Sequence, residues 1–427
     1  MKIQIKENFL AGLVLSVYFD NIDNDLAFYK LQEAINLTKS LNIKVSHSEF
    51  LKLRNPSSGN FLSKGHISKF KDIIKAYKID LLIFNNNIAP IQQRNLEKIF
   101  NIKVIDRTHL ILEIFGERAK THEGKLQVEL AHLLYQNSRL VKSWTHLERQ
   151  RGGFGFLGGP GETQLELDKR MLSQRIKKIK LLLLKIENTR SMQSKNRKNN
   201  KIAIASIVGY TNAGKSTLFN KLLNENVLSK NMLFSTLDPK RRILKSLSNH
   251  RVIISDTVGF ISDLPTELIE SFKSTLEEIS SSDIILHVRD LSSPYFKSEG
   301  KDVYNILNKL DKNIESKTLE IFNKVDLLNK DEYKNMNKRN AILVSAKNGI
   351  GIDQIKFAIN NVLNHTYLSK NLTFNRDYGQ ISNWLYENCK VISKKINGLN
   401  SHHYHVNISK INLAKLKNKY PFVKILS

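Results

Sequence analysis

The chain has 427 residues, 41% of them hydrophobic and 25% charged, which excludes wholesale disorder and allows about two to four domains. Its 67 Lys and Arg outnumber 40 Asp and Glu, and a formal net charge of +27 points to a polyanionic partner, with a Lys-, Asn- and Ile-rich composition bias as the plainer source of the same excess. The lone Cys389 excludes an intrachain disulfide and a Cys-based zinc site. The longest strongly apolar runs, such as Leu181 to Leu184, are too short to span a bilayer, so a cytoplasmic protein with no membrane span is expected.

From Leu10 to Arg107, apolar runs (Leu13 to Phe19, Ile43 to Val45, Leu81 to Phe84, Val104 to Ile105) alternate with stretches of helical period, Leu26 to Leu41 and Phe70 to Tyr77. That alternation predicts a small, mostly parallel α/β domain over residues 1–120. Next, Leu126, Leu130, Leu133, Asn137, Leu140, Trp144 and Leu147 form one seam along a helix. Leu165, Asp168, Leu172, Ile176, Ile179, Leu183 and Ile186 repeat the rhythm after a Gly-rich stretch from Gly152 to Gly161. Each seam needs a partner, either the other seam or a neighbouring domain. The first option predicts an antiparallel helical hairpin over 121–193, with a basic, Gly-rich tip at Arg149-Gln150-Arg151-Gly152-Gly153.

Residues 194–201 carry Lys, Arg and Asn without apolar anchors and read as a linker. A new domain is expected over 202–365, and a small C-terminal α/β domain over 366–427. The latter should contain a strand at Leu372 to Phe374, a helix around Ile381 to Val391 and a strand at His403 to Ile408.

The chemistry lies in the fourth segment. The apolar run Ile202 to Val208 leads into Gly209-Tyr210-Thr211-Asn212-Ala213-Gly214-Lys215-Ser216, followed by a helical stretch: the strand, loop and helix order of a phosphate-binding loop. Backbone amides and the helix N-terminus would cradle phosphates, Lys215 would reach the β- and γ-phosphates, and the Ser216 hydroxyl would ligate Mg²⁺. Asp256-Thr257-Val258-Gly259 follows a second apolar run, placing Asp256 to hold Mg²⁺ through water and the Gly259 N–H to meet a γ-phosphate. Asn323-Lys324-Val325-Asp326 and Ser345-Ala346-Lys347 each follow a further strand. The Asp326 carboxylate suits the paired N1–H and N2–H₂ donors of guanine, and the Ala346 N–H suits its O6.

In Phe234-Ser235-Thr236-Leu237-Asp238-Pro239, Thr236 is the candidate for the mobile threonine that completes Mg²⁺ coordination, and Phe234 to Asp238 join the nucleotide-binding set. Lys215, Thr236 and Gly259 are the candidate catalytic residues. Phe260 stands where many switch GTPases carry a water-orienting glutamine, so intrinsic hydrolysis of GTP to GDP should be slow. The fold class is thus α/β multidomain, with a P-loop GTPase domain of mostly parallel sheet and helices on both faces. The alternative function is a GTP-dependent RNA-modifying or RNA-remodelling protein, for which Cys389 is a poor nucleophile.

The motifs resemble those of the HflX family of ribosome-associated GTPases. The resemblance rests on Val104-Ile105-Asp106-Arg107-Thr108, Arg118-Ala119, Thr121 to Leu130, Gly159 to Glu166, Phe234 to Pro239, Asp256 to Phe260, Leu264-Pro265 and Thr275 to Glu278. It implies a protein, monomeric off the ribosome, that binds the large ribosomal subunit and its RNA, is stimulated there to hydrolyse GTP, and acts either in splitting or rescuing ribosomes under stress or in ribosome biogenesis. Related GTPases with Asn at the position of Asn212 use its amide oxygen to hold K⁺; a plain loop cap is the other role for this residue. Ser63 and His66 depart from the Gly and Lys that many relatives carry.

Overall fold

The structure is a computed structural model that describes residues 10–19, 23–150, 160–199, 202–224, 233–234, 236–244, 251–311, 313–329, 341–375, 378–397 and 401–426. The first unit runs β1 (Ala11–Tyr18), α1 (Asn24–Lys39), β2 (Lys44–Lys52), α2 (Lys64–Tyr77), β3 (Leu81–Phe84), α3 (Pro90–Phe100), β4 (Lys103–Ile105) and α4 (Arg107–Arg118). Its four strands are parallel, in the order β2-β1-β3-β4. The nearly continuous apolar runs of β1 and β3 occupy the centre because both of their faces are covered. The polar β2 lies at the edge, which is why only its first residues stood out in the sequence. Ser63 accepts from the His66 N–H and its hydroxyl lies 2.6 Å from His66 Nδ1, so these two departures from the relatives form a local cap on α2.

Helix α4 buries Leu110, Ile111, Leu112, Ile114 and Phe115 and leaves Glu113, Gly116 and Glu117 exposed on one narrow face, so most of its circumference is covered by other elements. One core joins Ile111, Ile114 and Phe115 to Phe234, Leu237, Phe260 and Phe272. The first unit is therefore packed onto the domain that follows the hairpin.

Helices α5 (His122–Gln150) and α6 (Pro160–Asn199) pair along Leu126, Leu130 and Ile179, with Leu133, Ile176, Leu183 and Ile186 partly buried beside them. Ion pairs of Glu123 with Arg190 (2.7 Å) and Glu129 with Arg175 set the start of α5 against the end of α6, an antiparallel arrangement. The tip, Arg151 to Gly159, lies outside the described residues, as do the side chains of Arg149 and Gln150. The expected linker at 194–201 is corrected over most of its length, since α6 continues to Asn199. Lys195, Arg197 and Lys198 extend a helix that is already anchored at little cost, even where nothing apolar holds them.

The second sheet comprises β5 (Ile202–Gly209), β6 (Lys240–Leu244), β7 (Arg251–Asp256), β8 (Ile284–Asp290), β9 (Thr318–Asn323) and β10 (Ile342–Leu343), ordered β10-β9-β8-β5-β7-β6 with β6 alone antiparallel. Helices α7 (Lys215–Leu222), α8 (Thr266–Ser271), α9 (Lys273–Ser280), α10 (Phe296–Asn308) and α11 (Ile352–Thr366) connect or flank its strands. A third, antiparallel sheet follows directly. It contains β11 (Tyr367–Phe374), β12 (Lys390–Asn397), β13 (Ser401–Ser409) and β14 (Lys424–Leu426), with α12 (Tyr378–Asn388) and α13 (Lys410–Lys419). Cys389 is buried in the core beneath this sheet, a position unsuited to an exposed nucleophile.

Candidate nucleotide-binding site

The phosphate-binding loop leaves β5 at Gly209 and enters α7 at Lys215. Gly214 takes φ +91°, and a Cβ there would lie 2.2 Å from Asn323 Nδ2, so the turn into the helix requires glycine. The loop is clasped to the segment after β7: Phe260 N–H donates to the Gly209 carbonyl (3.1 Å) and Thr211 N–H to the Phe260 carbonyl (2.7 Å). Lys215 is buried and donates to the Tyr210 carbonyl at 2.7 Å. Burial pushes its ammonium down to about 8, with Asp256 acting the other way. Gly259 comes so close that a Cβ there would sit 3.0 Å from Lys215 Nζ. Asn212 is exposed at φ +61°, a left-handed conformation that Asn tolerates better than most residues.

Three oxygen-bearing side chains converge beside the loop. Asp256 Oδ2 accepts from the hydroxyls of Ser216 and Thr236, 2.8 Å each, and those hydroxyls lie 3.0 Å apart. Asp256 is fully buried, and its Oδ1 has no hydrogen-bond partner among the described residues. Burial pushes its carboxyl up, while the two hydroxyls and Lys215 oppose that shift. Two hydroxyls and a carboxylate whose Oδ1 is left unpaired among the described residues make a hard-oxygen donor set that suits Mg²⁺. Thr257 is tied to the sheet through its hydroxyl, 2.6 Å from the Ile207 carbonyl.

At the other end, Asn323 joins two segments: its Nδ2 donates to the Ala213 carbonyl (2.8 Å) and its Oδ1 accepts from the Ala346 N–H (2.9 Å). Ser345 donates to the exposed Asp326 carboxylate at 2.5 Å, and Lys324 pairs with Asp290 at 2.6 Å. Val325 is buried and Lys347 exposed. The expected loop residues, Asp256 to Gly259, Asn323 to Asp326 and Ser345 to Lys347 therefore share one end of the sheet.

The segment Phe234 to Asp238 departs from the expected nucleotide contacts. Thr236 alone among its described residues turns to the phosphate end, and Ser235 lies outside the described residues. Phe234 and Leu237 are buried in the core shared with α4, as apolar side chains beside a covering helix should be. Asp238 turns away and accepts from the Lys120 and Thr121 amides, 2.9 Å each.

Family models match nearly in series along the chain. One described as GTP-binding GTPase N-terminal covers residues 29–116, one described as GTP-binding GTPase Middle Region covers 118–197, and one described as 50S ribosome-binding GTPase covers 204–324. The GTPase HflX of Magnetococcus marinus is 42% identical over 346 residues, 81% of this chain and 80% of that protein. The GTPase HflX of Escherichia coli is 38% identical over 380 residues, 88% of each. The chain belongs to the HflX GTPase family. Like that family it binds GTP through a phosphate-binding loop and hydrolyses it. A crystal structure of SsGBP with GDP aligns at a TM-score of 0.49 and 25% identity, over 83% of this chain and 98% of that one. No helix among the described residues is long and apolar enough to cross a membrane.

In this HflX-family chain, sequence reasoning missed a buried polar network between the first unit and the phosphate-binding loop. The Tyr210 hydroxyl donates to Glu33 and accepts from the Ser262 N–H (2.8 Å). Arg107 donates to Glu33 at 2.5 Å, to Asn85 at 2.6 Å and to the Ser262 carbonyl at 3.0 Å. Arg107 and Glu33 side chains are 7% and 8% exposed. The available signal was Arg107 within an apolar helix, since a buried charge must be paired.

Proposed function

We propose that this HflX-family GTPase engages the large ribosomal subunit and its RNA in the GTP state, separates or rescues stalled ribosomes, and ends each engagement by hydrolysis. The observation that carries this reading is the match of residues 204–324 to the family described as 50S ribosome-binding GTPase. Charge supports it: α6 carries eleven Lys and Arg against four Asp and Glu, an electrostatic footprint suited to RNA phosphates. The protein acts in the cytoplasm, as a monomer between engagements.

In this reading the loop from Gly209 to Gly214, with Lys215, holds the phosphates, while the Thr211 N–H stays with the Phe260 carbonyl. Ser216 and Thr236 would hold Mg²⁺ directly and Asp256 through water, and the ion would screen charge on the transferred phosphoryl group. The Gly259 N–H meets the γ-phosphate, and Asp326 selects guanine; the Ala346 N–H, expected at guanine O6, is given to Asn323 Oδ1 in this structure. Phe260, buried and committed through its backbone to the loop, offers no group to orient water. The ribosome supplies the missing assistance, and K⁺ held by Asn212 is its second source.

Purified large subunits should raise GTP turnover at least about tenfold, roughly 1.4 kcal/mol off the barrier. Equal rates with and without subunits would reject activation by the ribosome.

A further inference from the structure

Asp238 and the start of α5, far apart in sequence, interlock through hydrogen bonds that neither segment satisfies alone. The amides of Lys120 and Thr121 precede the first turn of α5 and donate to Asp238 Oδ2, 2.9 Å each. The Thr121 hydroxyl donates to Asp238 Oδ1 at 2.5 Å and accepts from the Gly124 N–H at 3.0 Å. A Cβ on Gly124 would lie 2.4 Å from Asp238 Oδ1, so the carboxylate reaches this turn only because the position is glycine. On the other side of Thr236, Phe234 holds a left-handed backbone at φ +53° and meets Phe115 of α4 edge to face, with ring centroids 4.7 Å apart. Such a conformation costs about 1–3 kcal/mol in a bulky residue unless its surroundings impose it. Thr236, between the two anchors, touches Ser216 and Asp256.

We propose that Thr121 and Gly124 are positioning residues for GTP: by gripping Asp238 they hold Thr236 where a Mg²⁺–γ-phosphate group recruits it. Seating of the helical hairpin and the GTP form of this loop are then one state. The proposal rests on the reading of Thr236 as a Mg²⁺ ligand. GDP lacks the γ-phosphate that recruits Thr236, so loss of the grip falls on GTP alone. By linkage, GTP seats the start of α5, and a force displacing α5 weakens GTP.

The test uses the full-length chain with Mg²⁺ and fluorescent forms of GDP and a non-hydrolysable GTP analogue. Thr121→Val and Gly124→Ala should each weaken the analogue about tenfold or more, the scale of a lost hydrogen bond to a charged group. GDP affinity should stay within about twofold, and Thr121→Ser, which keeps the hydroxyl, should restore the analogue. Equal weakening of both nucleotides, no weakening of either, or a lowered melting temperature with an unchanged GTP-to-GDP ratio would each overturn the proposal. Thr236→Ala separates the layers. If it leaves the ratio unchanged, the reading of Thr236 falls with the proposal; if it alone lowers the ratio, only the grip is wrong.

Discussion

Replacing Arg107 by Met tests whether the buried network ties the first unit to the phosphate-binding loop. Arg107 is the only cation bonded to Glu33 among the described residues, and both side chains are more than nine-tenths buried. Met preserves most of the volume, so the loss is electrostatic. The Glu33 carboxylate would keep the Tyr210 hydroxyl, while Asn85 Oδ1 and the Ser262 carbonyl would lose a donor. Leaving one partner of a buried ion pair behind costs about 3–5 kcal/mol, on the order of a 10 °C fall in melting temperature for a unit of this size. Adding Glu33→Gln removes the stranded charge and leaves an amide that Tyr210 can still bond. The double variant should therefore recover at least about 2 kcal/mol over the sum of the singles. Urea and thermal unfolding of the four proteins measure this cycle. A cost below about 1 kcal/mol for Arg107→Met, or strictly additive singles, would refute the network as a tie between the units.

Asp326→Asn should move preference from GTP toward xanthosine triphosphate, because an amide cannot accept from both guanine donors; unchanged guanine selectivity in competition binding would remove Asp326 from the base site. For Lys215, burial depresses the free ammonium to about 8 and bound phosphate raises it again, so binding takes up a proton above that pH. GTP affinity should be level below pH 8 and fall toward about tenfold per unit above it; a level titration to pH 9.5 would contradict the buried cation. Exchanging Na⁺ for K⁺ at constant ionic strength should speed hydrolysis, and Asn212→Ala should abolish the difference. Equal rates in the two salts would leave Asn212 as a loop residue chosen for its left-handed backbone.

The nucleotide end of the sheet was legible because its residues follow strands in sequence. Gly209 to Ser216, Asp256 to Gly259, Asn323 to Asp326 and Ser345 to Lys347 each sit just past an apolar run, and parallel pairing of those runs brings the loops together. The hairpin was legible from its two seams. What stayed hidden depends on contacts at long separation. Nothing around Asp238 announces that its partners are amides 117 and 118 residues earlier, and Tyr210 meets Glu33 across 177 residues. Edge strand β2 and strands β12 and β14 were missed or cut short because polar residues face outward there without a strong apolar run. Helix α4 went unread because its buried Leu110, Ile111, Leu112, Ile114 and Phe115 run almost without a break and mask the narrow exposed face of Glu113, Gly116 and Glu117.

The central claim is that nucleotide state controls engagement of the large ribosomal subunit. It is tested most directly by co-sedimenting the full-length chain with purified large subunits, in the presence of either a non-hydrolysable GTP analogue or GDP. The account predicts that the analogue-bound chain pellets with the subunits, that the GDP-bound chain stays mostly in the supernatant, and that Thr236→Ala abolishes the difference. Equal pelleting in the two nucleotide states, or none in either, would contradict it.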